Sequence, residues 1–131
     1  MDDPDAARHG ELRTFMDRYC DAWNRDDLDA ILEAYHVPSF TYKYGTLHAF
    51  LDAESRRDYT VGFIDENRRE GPATWEILSF AVTDLGLNSS LVTARWVFRR
   101  PDGSDVWDFV DSYNLCRLDG RWKFLVRTLH D

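Results

Sequence analysis

The sequence predicts an α+β domain in which three helices in the N-terminal half pack on a strongly curved, mostly antiparallel sheet, forming a cone with an internal pocket. Three observations predict it. Helical periodicity is confined to the first half of the chain, and the second half reads as four long alternating stretches separated by turns. One face of those stretches is aromatic and apolar, so amphipathic helices must cover it.

The elements follow in order. The first ten residues, MDDPDAARHG, are polar and are expected to fray. Leu12, Phe15, Met16, Tyr19, Cys20 and Trp23 then recur at helical spacing, and Asn24-Arg25 ends that amphipathic helix. Asp26 is the expected N-cap of a second helix, with Asp27 and Asp29 in a first turn where negative charge suits the helix dipole. Its apolar face is Leu28, Ile31, Leu32 and Tyr35, and Pro38 blocks continuation. Ser39–Tyr44 is β-branched and aromatic, hence the first strand, ending at Gly45; Leu47–Leu51 extends it or pairs with it. A third helix runs from about Ala53, capped by Asp52, with Tyr59 and Phe63 on its buried side and Gly71-Pro72 at its end.

Thr74–Thr83, Ser90–Arg100, Val106–Leu118 and Trp122–His130 are the long strands, and Asp119-Gly120 is the sharpest hairpin signal between them. Strand side chains alternate between faces. Val92, Ala94, Trp96 and Phe98 therefore share one face, as do Trp107, Phe109, Asp111 and Tyr113, and Trp122, Phe124, Val126, Thr128 and His130. The opposite face carries Arg95, Arg99, Asp108, Ser112, Asn114, Arg121, Lys123 and Arg127. Long strands beside glycine turns bend readily, and the mouth of the resulting cone is a natural small-molecule site.

Bulk properties narrow the function. The 131 residues suit a single domain spanning 1–131, and 15% aromatic content is far above that of a disordered chain. The formal net charge is −8; residues 1–33 hold ten acidic and four basic side chains, which argues against nucleic acid or an anionic membrane as partner. Cys20 and Cys116 match no metal or redox spacing and read as reduced, hence a cytoplasmic protein. The N-terminus lacks the basic and apolar regions of a signal peptide, and no apolar run reaches membrane-spanning length. No histidine spacing suits a metal and every glycine stands alone, so neither a metal nor a nucleotide cofactor is expected.

The element order, together with Arg18-Tyr19, Trp23-Asn24-Arg25-Asp26-Asp27-Leu28-Asp29-Ala30-Ile31 and the Leu118–Phe124 hairpin, resembles the nuclear transport factor two–like (cystatin-like α+β) superfamily. Ketosteroid isomerases, SnoaL-type cyclases and scytalone dehydratases belong there, beside many non-catalytic domains. The likeness covers about Glu11 to His130 and bears on fold more than on activity. It implies that Tyr19 and Asp111 lie where ketosteroid isomerases place a tyrosine and a protonated aspartic acid that bond a developing oxyanion. It also implies a pairing into homodimers. The chain departs from the isomerases at the first strand, where Ser39–Gly45 holds no carboxylate to serve as their general base.

Asp111 stands out from the residues alone, because a carboxylate on an apolar, aromatic face is either paired with a basic group or protonated and useful. His130 falls on the same predicted face and would exchange protons with it. Asp111, His130 and Tyr19 are thus the candidate catalytic residues. Trp23, Tyr42, Phe63, Trp96, Phe98, Trp107, Tyr113 and Val126 are the candidate ligand-binding residues, suited to a small, flat, apolar or aromatic compound. Three functions are compatible: a cofactor-free acid–base enzyme, a non-catalytic small-molecule-binding domain, or a homodimeric association domain.

Overall fold

The computed structural model describes residues 4–131. Helices α1 (Pro4–Asn24), α2 (Leu28–Glu33) and α3 (Ala53–Arg69) cover a six-stranded sheet of β1 (Tyr35–Lys43), β2 (Thr46–Phe50), β3 (Thr74–Asp84), β4 (Ser89–Arg99), β5 (Asp105–Leu118) and β6 (Arg121–His130). The strand order is β2-β1-β6-β5-β4-β3. Only β1 and β6 run parallel. The sheet is curved but unclosed, and the predicted α+β architecture holds.

The helical stripe read from the sequence is the one that is buried: Leu12 and Met16 are inaccessible to solvent and Tyr19 nearly so. Asn24 fastens the end of α1 to the start of β3. Its Oδ1 accepts from the Trp75 N–H at 2.7 Å, and its Nδ2 donates to the Trp75 carbonyl at 3.0 Å. Cys20 Sγ donates to that same carbonyl at 3.4 Å, and burial pushes its thiol up to about 11. Both cysteines are free thiols.

Four expectations change. The helix begins at Pro4 rather than after Gly10, a proline being pre-organised for a first helical turn. Arg8 and His9, read as frayed, reach across to Asp84 at the end of β3; Met1–Asp3 lie outside the described residues. Asp27, not Asp26, caps α2, its Oδ1 accepting from the Ala30 N–H at 3.1 Å. Asp26 instead adopts φ 50° and accepts from Arg68. Tyr35 is not on α2 but opens β1, because the Phe124 N–H captures the Ala34 carbonyl and pulls the chain into the sheet.

The turns behave as their residues demand. Asp119 and Gly120 both have positive φ, as a two-residue hairpin of right-handed strands requires, and Tyr44-Gly45 makes the same turn between β1 and β2. Bulges bend the sheet. Register is lost at Leu78 in β3 and at Leu125 in β6, where one strand carries an extra residue against its neighbour.

The Leu125 bulge has the largest consequence. Before it, Phe124 pairs with Leu115; after it, Val126 pairs with Asn114, Arg127 with Tyr113 and Thr128 with Ser112. One extra residue exchanges the two faces of every position that follows. Arg127 and Leu129 therefore point to the concave face, while Val126, Thr128 and His130 point away from it. The predicted alternation holds for Trp122 and Phe124 and inverts beyond them.

Two measurements check these contacts. Replacing Asn24 with Ala should lower unfolding stability by about 1 kcal/mol, read as a shift in urea midpoint at constant slope. Cys20 should alkylate at pH 8 roughly a hundredfold more slowly than free cysteine, accelerating as pH climbs toward 11.

Candidate functional site

Between the helices and the concave face lies a hollow with about 40 Å³ open to the centre of a water molecule. Helix α1 contributes Tyr19 and Trp23, helix α3 contributes Arg56, Tyr59, Thr60 and Phe63, and the strands contribute the rest of the wall. Aromatic rings dominate that wall because Tyr19 alone stands edge-on to Trp23, Tyr35, Trp96, Tyr113 and Phe124, with ring centroids 4.8–6.3 Å apart.

Asp111 is 1% exposed and lies in this wall. Its Oδ2 accepts two bonds, from Arg127 Nε at 2.7 Å and from the Tyr113 hydroxyl at 2.9 Å. Two donors converge on one oxygen, and one of them is a guanidinium in an ion pair with it. The paired alternative is the one realised, and the Leu125 bulge is its cause, since it turns Arg127 inward. Burial on its own would lower Arg127, but the Asp111 carboxylate, with Tyr113 and Tyr35, overrules that and holds the guanidinium well above the usual arginine range. Asp111 Oδ1 is buried and has no hydrogen-bond partner among the described residues.

The neighbouring phenols are neutral. Burial pushes Tyr19, Tyr35 and Tyr113 above the usual tyrosine range, with the Asp111 charge next in importance for Tyr113. The Tyr19 and Tyr35 hydroxyls are 2.6 Å apart, and either can donate. Arg56, 2% exposed, gives Nε and Nη2 to Ser39 Oγ at 3.2 and 2.7 Å. Burial lowers Arg56, with the tyrosines opposing and Arg127 adding to the effect.

The candidates separate. Asp111, Tyr19, Trp23, Phe63, Trp96 and Tyr113 meet around the hollow. His130 does not join them: it is exposed on the opposite face, its Nε2 2.6 Å from Ser112 Oγ, because the bulge reverses its orientation. Val126 leaves for the same reason. Tyr42 pairs with Thr128 on that outer face and is 41% exposed. Phe98 and Trp107 stay on the inner side but fill it, stacked at 5.4 Å in a column with Trp75.

Arg127, Arg56, Tyr35 and Tyr59 line the hollow but were not among the candidate site residues, although Tyr35 and Tyr59 were read as buried. A signal existed for two of them. Leu125 and Leu129 are apolar residues on the predicted polar face of β6, which marks a break in phase before Arg127. Arg56 lies one turn before Tyr59 and Thr60 on the buried stripe of α3.

The family model described as NTF2-like protein (DUF6841) matches residues 10–131. Among curated proteins no sequence match was found. Several solved structures share the fold. A Shewanella oneidensis NTF2-like protein of unknown function is 21% identical, with TM-score 0.73 over 95% of this chain and 99% of that one. A Novosphingobium aromaticivorans protein provisionally assigned as a scytalone dehydratase has TM-score 0.80 at 13% identity, covering 99% and 87%. A Shewanella frigidimarina protein provisionally assigned as a ketosteroid isomerase has TM-score 0.66 at 13% identity, covering 89% and 92%.

Removing one half of a buried ion pair strands the other. Arg127→Met should destabilise the protein by about 3–5 kcal/mol at neutral pH, and adding Asp111→Leu should recover much of that loss, read by a double-mutant cycle of urea midpoints.

Proposed function

This chain belongs to the NTF2-like family DUF6841, and we propose that it is a small-molecule-binding domain whose site is the hollow between α1, α3 and the concave sheet. One observation carries this reading. Asp111, Tyr59, Trp75 and Trp96 all line the hollow, and each has a buried polar atom with no partner among the described residues. A buried donor or acceptor left unbonded costs about 1–3 kcal/mol. Four of them around one cavity are best accounted for by an occupant that bonds them.

The occupant is smaller than the flat ring compound that the aromatic strands suggest. The open space is well below the several hundred Å³ of a pocket that buries a drug-sized ligand. It is enough for ordered water or for a molecule of a few heavy atoms. Rings such as Phe98 and Trp107 occupy the volume that a larger ligand would need.

A second reading, a cofactor-free acid–base enzyme, is favoured by Asp111 Oδ1 specifically. It is a buried carboxylate oxygen whose twin accepts two bonds, and it has no donor of its own among the described residues. In this reading Asp111 accepts a proton rather than donating one, and the Tyr19–Tyr35 pair supplies a hydroxyl to the charge that develops. His130 takes no part. The dehydratase and isomerase assignments of two fold neighbours are compatible with it, though at 13% identity they speak to fold.

Trp75 and Trp96 report on the hollow directly. Titrating the full chain with fragments of a few heavy atoms should give saturable changes in tryptophan emission, abolished in Thr60→Phe, which fills the space. Absence of any such change in the native protein, or its persistence in a folded Thr60→Phe variant, would sink the proposal. Native mass spectrometry of the freshly purified chain separates the two readings. A compound recovered unaltered supports binding, whereas turnover lost in Asp111→Asn supports acid–base chemistry.

A further inference from the structure

We propose that the molecule taken up by the hollow is a small carboxylate, held at the edge of the Arg56 guanidinium; this rests on the small-molecule reading above. Two guanidiniums and one carboxylate line the hollow, Arg56 and Arg127 against Asp111. Arg127 is committed to Asp111. With the surrounding phenols neutral, one positive charge is left uncompensated, and it belongs to Arg56.

Two aromatic rings face Arg56. Its guanidinium carbon lies 3.9 Å from the Tyr35 ring centroid and 3.8 Å from that of Phe50. Those rings occupy the guanidinium's environment with the weak attraction of aromatic quadrupoles. Along the edge, Nε and Nη2 both converge on one neutral oxygen, Ser39 Oγ. No carboxylate among the described residues pairs with Arg56, and Nη1 has no hydrogen-bond partner there. A buried cation normally carries an anion or a set of charge-assisted bonds, because neutral partners replace lost hydration poorly.

The donors nearest in the fold suit the same guest. Tyr59 follows Arg56 by three residues on α3, lines the hollow and has a buried hydroxyl with no partner among the described residues. A guanidinium presents N–H groups whose planar fork matches carboxylate oxygens, and a hydroxyl is a further donor to such a group. The limited space selects a compact acid, and Asp111 on the sheet side repels a second negative group. A monoanion of a few heavy atoms meets all these conditions, with any hydroxyl or N–H of its own directed to Asp111 Oδ1.

Acetate and pyruvate are the probes, with acetamide as the neutral isostere of acetate, titrated into the full chain at constant ionic strength and followed by calorimetry and tryptophan emission. Acetate or pyruvate should bind at least tenfold more tightly than acetamide. Arg56→Met should weaken them at least tenfold, with Arg56→Lys retaining part of the affinity. Acetamide binding as well as acetate would overturn the carboxylate assignment while leaving a small-molecule site in place, and this comparison needs no variant to fold. Unchanged acetate binding in a folded Arg56→Met protein would also overturn it. If neither acids nor amide bind, the small-molecule reading falls along with this one.

Discussion

The ion pair between Asp111 and Arg127 is the interaction on which the interior is organised. It joins β5 to β6 across the concave face at a depth where neither charge could stand alone. Tyr113 shares the load by donating to the same carboxylate oxygen, so a ring that would otherwise only pack becomes part of a polar network. Because both bonds fall on Oδ2, the other oxygen is left without a partner among the described residues, on a side chain that lines the hollow. The same contact that neutralises Asp111 thus also presents it.

That pair exists only because β6 is out of phase with itself. A strand that alternated regularly from Trp122 to His130 would bring His130 inward and send Arg127 to solvent. The extra residue at Leu125 reverses this. A bulge also bends its strand, and β1 pairs in parallel with β6 with its own irregularity between Tyr35 and Phe40. Face reversal and charge pairing are consequences of one inserted residue. Bulges are common beside functional sites for this reason, since they re-aim side chains without changing the fold.

The aromatic content does two different jobs on the two sides of the cavity. Trp75, Phe98 and Trp107 form a stacked column that fills the space under β3, β4 and β5. Around Tyr19, which lines the hollow, the ring contacts are edge-on. Helix α3 then brings Arg56 to the hollow's border between Tyr35 and Phe50. Ring geometry sets the room available, and the guanidiniums set its sign.

The sequence by itself determined the helices, the long strands, the Asp-Gly hairpin and the burial of Leu12, Met16, Tyr19, Trp96 and Tyr113. Those depend on local periodicity and on side chains that have one way to leave water. It also marked Asp111 as the residue that needs explaining. Tertiary structure alone decided who meets Asp111, where α2 yields to β1 at Tyr35, and that Arg56 borders the cavity with no anion beside it among the described residues. Partnership between residues distant in the chain turns on strand register, and register answers to the whole sheet: a single bulged residue moves a side chain from one face to the other while leaving the local pattern almost unchanged.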